Sequence, residues 1–516
     1  MTVQAIDSDT ETLHKLGYAQ ELLRRMNGFS NFAISFTIIS ILSGCLTLYG
    51  FGMFTGGPVI MTIGWPLVGI MVIIVGLAMA EVCSSYPTAG GLYYWSAKLG
   101  GKNGAGWSWF TGWFNMLGQV AVTAGIDFGL ALFADALLNL AFGYPSTPGY
   151  VVLLYGIALV LHGLLNTFGI RLVAILNDIS VWWHILGVVI IVGVLAIFPA
   201  HHQSIGFVFG HFQNDTGFSF GGVSIYVFLI GLLLAQYTFT GYDASAHLTE
   251  ETKNAAVAGP RGIVMSIVVS LFAGWVLLIG VTFAIQNYNG EEHAVTPAAQ
   301  VFIDAVGKTG GLLLLLIVVG AQFYCGMSSV TANSRMIYAF SRDGAVPGHR
   351  LWAKINKRTR TPTNSIWLAA GGAFILGIPY LWSYTAYAAI TSIAVIGLYI
   401  AYGIPILLRL RAGASFQRGP WHLGSWSRPV GIIAVTWIVI IAILFILPQA
   451  APITVLSFNY AVVAVGAVTI GTTLAWVLSA RKWFHGPVVQ GSADELAAIE
   501  ADLTGATPPS RAVAAG

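Results

Sequence analysis

Three ionisable residues, Asp127, His184 and Asp243, stand within long apolar stretches of the chain. If such stretches cross a membrane, a charge at the bilayer centre costs roughly 2.5–3.5 kcal/mol on insertion scales, so each residue needs a partner or a task. A carboxylate in that setting pairs with a cation or an amine-bearing ligand, or it bonds to a neighbouring helix. For Asp127, with Gln119 about two helical turns earlier, both readings are open. An imidazole titrates near 6.5 in water, so His184, between Trp183 and Ile185, can exchange a proton at working pH or serve as a hydrogen-bonded core residue. Asp243 directly follows Gly241-Tyr242 and can cap a half-helix that begins there. Asp135 and Asp178 lie nearer the ends of their stretches and read as structural.

Two glycines give these side chains a setting. Residues 36–45 read FTIISILSGC with Gly44 near the middle of an apolar helix, and residues 236–243 read QYTFTGYD with Gly241 in the same role. A helix interrupted at mid-membrane frees N–H and C=O groups that can coordinate a ligand, and a matched pair of interruptions points to a binding site more than to close packing. The N-terminus of a half-helix also offers a partial positive charge to an anion. The aromatics nearby, Tyr237, Phe239 and Tyr242, serve a cation or simply pack.

The elements that must position these residues follow from composition. Of 516 residues, 56% are hydrophobic and only 8% charged, against about a quarter charged in soluble domains. Long apolar segments in lipid must satisfy their own backbone, which they do as helices. Twelve spans are predicted, beginning near residues 30, 58, 106, 149, 173, 222, 261, 309, 364, 385, 429 and 457, with turns such as 143–148 and 286–290 between them. With the N-terminus inside, 22 of the 23 Lys and Arg residues fall on the cytoplasmic side, Lys308 excepted, while the external loops carry Asp215, Glu291 and Glu292. The predicted organisation is a cytoplasmic tail over 1–27, spans 1–5 over 28–200, spans 6–10 over 201–411, spans 11–12 over 412–482, and a disordered cytoplasmic tail over 483–516. Cys45, Cys83 and Cys325 have no metal-ligand or disulfide spacing. Glu250 and Glu251 read as gate or loop salt-bridge partners, and the basic run 354–360 as a contact for anionic lipid.

Several motifs resemble one family. Ser43-Gly44, Phe54-Thr55-Gly56-Gly57 and Gly64-Trp65 resemble the first helix of the amino acid–polyamine–organocation superfamily, and Glu81, Ser84 and Tyr86-Pro87-Thr88-Ala89-Gly90-Gly91 match its signature after the second. Ser334-Arg335-Met336, Phe340-Ser341-Arg342-Asp343-Gly344, Gly419-Pro420-Trp421, Leu423-Gly424 and Phe458-Asn459-Tyr460-Ala461 look like the amino acid/choline transporter branch, which includes 4-aminobutyrate and choline permeases. The resemblance implies an all-α integral membrane protein with a leucine-transporter-like fold: 5+5 inverted repeats, two peripheral helices, and a central site between spans 1, 3, 6, 8 and 10. It implies that a substrate carboxylate sits on the amides of Ser43, Gly44 and Cys45, and an amine on the carbonyls of Phe239, Thr240 and Gly241. It places Asp127, with Gln119, on the site wall as a partner for a substrate amine, and gives Asp243 a gating or coupling role. Proton-coupled relatives carry Lys where this chain has His184, so the imidazole is expected to hold the coupling proton; Ser328 and Ser329 leave a sodium site open as the alternative.

The expected function is therefore secondary transport of a small amino acid or related amine, such as 4-aminobutyrate, with no cofactor beyond the coupling ion. Choline or polyamine transport, exchange, and nutrient sensing on a transporter fold stay open. No Gly-rich nucleotide loop with Lys supports a pump, and no nucleophile or metal constellation supports an enzyme. The net charge of +3 offers nothing to nucleic acid. Membrane lipids are the expected surroundings, and the short tails suggest a bacterial inner membrane; oligomeric state is not legible.

Overall fold

A computed structural model describes residues 8–383 and 385–504 of the chain. Eleven helices among them are long and apolar enough to cross a membrane: span 1 (Gly28–Thr47), span 2 (Ile60–Ser85), span 3 (Gly101–Phe142), span 4 (Pro148–Phe168), span 5 (Arg171–Ile197), span 7 (Ala255–Phe283), span 8 (Pro297–Arg342), span 9 (Thr363–Leu381), span 10 (Ala386–Ser415), span 11 (Gly424–Leu444) and span 12 (Ala461–Leu478). The predicted sixth span is the shorter apolar stretch Val223–Thr238, which stops at mid-chain and resumes as Ala244–His247. Span 8 starts earlier than its hydropathy suggests, because an outer helix runs into it across Gly307, whose φ of 69° is non-helical.

Burial sorts the spans. The apolar window of span 1 is 89% buried and that of span 3 is 78%, whereas spans 11 and 12 are 33% and 17% buried. Spans 11 and 12 thus lie against the outside of the bundle and leave side chains such as Ile443, Val463 and Leu474 exposed, as lipid contact requires. Spans 3 and 10 touch backbone to backbone. A Cβ on Gly118 would lie 2.6 Å from Leu398 N, and one on Gly397 would lie 2.8 Å from Gly118 N. Small residues substitute here for the hydrophobic drive that lipid does not supply.

The two chain ends meet on one face, called the tail face below. The amide of Gln490 donates to the carbonyl of Gly17 (2.9 Å), Ala19 N donates to Gln490 Oε1 (2.7 Å), and His14 Nε2 lies 2.8 Å from Glu500 Oε1. A helix, Ala493–Thr504, completes this layer. The disorder predicted over 483–516 is therefore corrected for 483–504; residues 505–516 lie outside the described residues. Composition missed the ordering because these residues have no core of their own and are held by the N-terminal segment, a contact remote in sequence.

Candidate functional site

Span 1 breaks at Ser40. Its first helix, Gly28–Ile39, is capped by Asn27, whose side chain accepts from Ser30 N, and ends where Ser40 takes a left-handed conformation (φ 36°). The chain restarts as Ile41–Thr47. The carbonyl of Ser40 accepts from Ser43 N (2.8 Å) and Gly44 N (3.0 Å). Two of the three amides expected to face a carboxylate are thus already bonded, and Cys45 lies within the following turn. The amides of Ile41 and Leu42, at the start of that half-helix, have no acceptor among the described residues. The correction has a geometric cause: the break falls at the left-handed serine, ahead of the glycine.

Gly44 instead sets the crossing of the two broken helices. A Cβ there would lie 2.5 Å from Thr238 Oγ1 and 2.8 Å from Thr238 Cα on span 6. Gly241 does the same in reverse: its φ is 95°, and a Cβ would lie 2.2 Å from Ile38 Cγ2 on span 1. Each break thus rests on the other. Around Gly241 the carbonyl of Tyr242 accepts from Ser35 Oγ (2.9 Å) and that of Gly241 from Ala244 N (3.1 Å), while those of Phe239 and Thr240 have no donor among the described residues. The Phe239 ring packs 4.4 Å from that of Trp65, so this aromatic belongs to the core.

His184 is fully buried and bonded at both ring nitrogens: Nε2 lies 2.7 Å from Ser40 Oγ, and Nδ1 lies 2.8 Å from the carbonyl of Ser180. A carbonyl only accepts, so Nδ1 carries hydrogen and, in the neutral ring, Nε2 accepts from the serine hydroxyl. The residue expected to hold a proton therefore touches the residue at which span 1 breaks.

Asp243 and Gln119 form a second cluster. Gln119 Nε2 donates to Asp243 Oδ2 (2.7 Å) and Tyr402 OH donates to Oδ1 (2.7 Å), which ties spans 3, 6 and 10. His247 Nε2 lies 3.3 Å from Asp243 Oδ2, and its Nδ1 reaches the carbonyl of Ala89 (3.0 Å). Asp243 makes no side-chain cap for Ala244–His247, contrary to the structural reading, and Gln119 is engaged here rather than beside Asp127. His247, Tyr402 and Asn115 were not singled out in the sequence, where each reads as one polar residue in a crowded helix.

Asp127 points toward spans 4 and 8. Its Oδ1 lies 2.6 Å from Nδ1 of His162, and both side chains are wholly buried. His162 also escaped the sequence reading, although an ionisable residue inside span 4 is the same kind of signal that identified the other three. Ser328 donates to Asn177 on span 5 and Ser329 pairs with Thr123 on span 3 (2.9 Å), so the hydroxyls considered for sodium are directed away from span 1. Cys325 is the span 8 residue that reaches the break, with Sγ 3.2 Å from the carbonyl of Ile38.

The sequence motifs at 81–91, 334–344 and 419–424 meet on the tail face. Arg335 Nε lies 2.8 Å from Glu251 Oε1, Arg342 Nη2 lies 3.3 Å from Glu250 Oε1, and Arg409 Nε lies 3.2 Å from Glu81 Oε2. Trp421 N donates to Ser84 Oγ (2.9 Å) and Leu423 N to Glu81 Oε1 (3.2 Å), so the motif around Gly419 closes over the one that begins at Glu81. The profile of the family described as amino acid permease matches residues 26–469, which hold both broken helices and all three ion pairs.

The chain belongs to the amino acid permease family. The permease is similar over nearly its whole length to the amino-acid permease BAT1 of Arabidopsis thaliana, with 44% identity over 507 residues, 94% of this chain and 97% of the plant protein. A BAT1 homolog of Oryza sativa subsp. japonica is 44% identical over 500 residues, 93% of this chain and 96% of the rice protein. A GABA-specific permease of Saccharomyces cerevisiae is 30% identical over 515 residues, 96% of this chain and 89% of the yeast protein. The permease is a multi-pass membrane transporter and not an enzyme. These plant and yeast relatives lend no support to the bacterial inner membrane suggested by the short tails.

Proposed function

We propose that the permease imports a small amino acid, or an amino-acid-like amine such as 4-aminobutyrate, by proton-coupled alternating access, with its tail face in the cytoplasm. The observation that carries this reading is the contact between His184 and Ser40. Neutral His184 accepts the serine hydroxyl's hydrogen at Nε2; a proton arriving at Nε2 turns that nitrogen into a donor and reverses the bond. The hydroxyl hydrogen is then released toward the break, beside the free amides of Ile41 and Leu42. Proton binding at span 5 thereby alters the donors available to a carboxylate at span 1, which is a coupling between ion and substrate.

The substrate class follows from the same region. A half-helix start with unbonded amides suits a carboxylate, and the open carbonyls of Phe239 and Thr240 suit an amine. The printed name of the yeast relative makes 4-aminobutyrate the first compound to try. The cytoplasmic assignment of the tail face is supported by the basic residues gathered there, among them Arg335, Arg342 and Arg409.

The test is uptake into sodium-free proteoliposomes under an imposed inward proton gradient, with labelled amino acids, 4-aminobutyrate, choline and putrescine. Concentrative uptake of an amino acid that a protonophore abolishes, and that His184→Gln makes insensitive to pH, is the expected result. Uptake that needs sodium, or that ignores the proton gradient, would overturn the coupling; uptake of choline or putrescine alone would overturn the substrate class.

A further inference from the structure

The fit between Asp127 and His162 is incomplete in a way that calls for a ligand. The two groups approach to 2.6 Å, but off the axis of a ring N–H bond, so both carboxylate oxygens and both ring nitrogens remain without a hydrogen bond. Both residues are fully buried. Most buried polar groups are satisfied, and four open positions in one contact are exceptional. The space is shaped by Gly326 on span 8, where a Cβ would lie 2.5 Å from Asp127 Oδ1 and 2.5 Å from His162 Cε1. The ring of Phe323 closes the other side, 4.6 Å from the imidazole.

We propose that Asp127 and His162 form a second proton-binding site, in which one bound proton holds spans 3, 4 and 8 together. A carboxylate beside a neutral imidazole carries one negative charge; one proton more makes the pair neutral overall. An enclosed charge without compensation is strongly unfavourable. The other titratable groups facing the pair are Tyr155 on span 4, Tyr237 on span 6 and Cys325 on span 8, none of which supplies a positive charge, with Tyr387 on span 10 beyond them. No Lys or Arg among the described residues forms an ion pair there. The remaining compensation is a proton from water. It binds and leaves through N–H or O–H alone.

The site is separate from His184, whose ring nitrogens are satisfied. Its consequence for transport rests on the alternating-access reading above; proton binding itself does not.

Thermal unfolding of the full-length protein in lipid nanodiscs, without substrate, tests the proposal across about pH 6 to about pH 9. Stability that depends on a bound proton falls as pH rises. Asp127→Asn removes the charge that needs the proton, so the fall in melting temperature with pH should shrink by at least half. His184→Gln should leave that slope intact. Gly326→Ala, which drives a methyl group between the pair, should move the slope without changing any charge. A wild-type slope in Asp127→Asn, or in Gly326→Ala where the first variant fails to fold, overturns the site. Should proton-driven uptake fail in wild type while Asp127→Asn still flattens the profile, the coupling reading fails and the site stands.

Discussion

The two faces of the permease are closed by different chemistry. On the tail face, Arg335 is entirely buried against Glu251, Arg342 is placed over the ring of Tyr18 (3.9 Å) while it pairs with Glu250, and Arg409 reaches Glu81. On the opposite face no Lys or Arg pairs with an acid among the described residues. Contact there runs through neutral bonds: Tyr288 OH to the carbonyl of Met53 (2.7 Å), Asp215 N to that of Phe54 (3.1 Å) and Gln213 N to that of Gly56 (3.2 Å). Its acids crowd one another instead. Burial and the neighbouring Asp215 push the Glu292 carboxyl up to about 7. Breaking a buried charge pair leaves a charge behind, whereas breaking a neutral bond exposes groups that water can satisfy. The tail face is thus the harder to open in this conformation, and the opposite face carries a carboxyl raised to about 7.

Four substitutions test that contrast. Arg335→Met has the largest expected effect: it strands Glu251 in a buried position and should cost about 3–5 kcal/mol. A melting temperature equal to wild type, read by the loss of the monodisperse peak on heating, would show that the tail face does not depend on its ion pairs. Gly241→Ala comes next, because a side chain at φ 95° pressed on Ile38 should cost about 1–3 kcal/mol. Uptake should fall with it, and the suppressor Ile38→Ala should recover part of the loss; absence of any rescue would separate the glycine from the helix crossing.

Asp243→Asn is third. The amide keeps an acceptor for Tyr402 but sets its own N–H groups against Gln119 and His247, so uptake should drop about tenfold, the scale of one hydrogen bond to a charged group. Uptake at the wild-type rate would remove this cluster from the gate. The smallest effect belongs to Glu292→Gln. The Glu292 carboxyl sits above its ordinary value of 4.5, so its protonated form is favoured in the folded protein, and the outer contacts weaken as pH rises through about 7. The glutamine variant should lose that weakening, measured as a flatter pH profile of outer-loop protection from protease between about pH 5 and about pH 8. A profile that parallels wild type would assign the pH sensitivity elsewhere.

Much of this architecture is legible residue by residue. Low charge and long apolar runs require helices, because lipid offers no partner to the backbone, and eleven long apolar helices and the shorter Val223–Thr238 stand among the described residues. The interruptions at the first and sixth spans are visible because glycine in an apolar helix is conspicuous. The position of the first break is not, since Ser40 has nothing in its type that announces a left-handed turn. His162 was missed for a related reason: its significance lies in facing Asp127, and no spacing along the chain encodes that contact.

Sequence by itself determined the class of the molecule, its make-up of long apolar helices, and the family to which it belongs. These are local or compositional properties, set by what each segment costs to place in lipid. Only the tertiary structure decided which polar residues meet. It brought His184 to Ser40, gave Gln119 to Asp243, paired Asp127 with His162, and folded 483–504 onto the N-terminal segment. Those contacts join residues distant in the chain, and a buried polar group takes whichever partner the packed helices bring within reach.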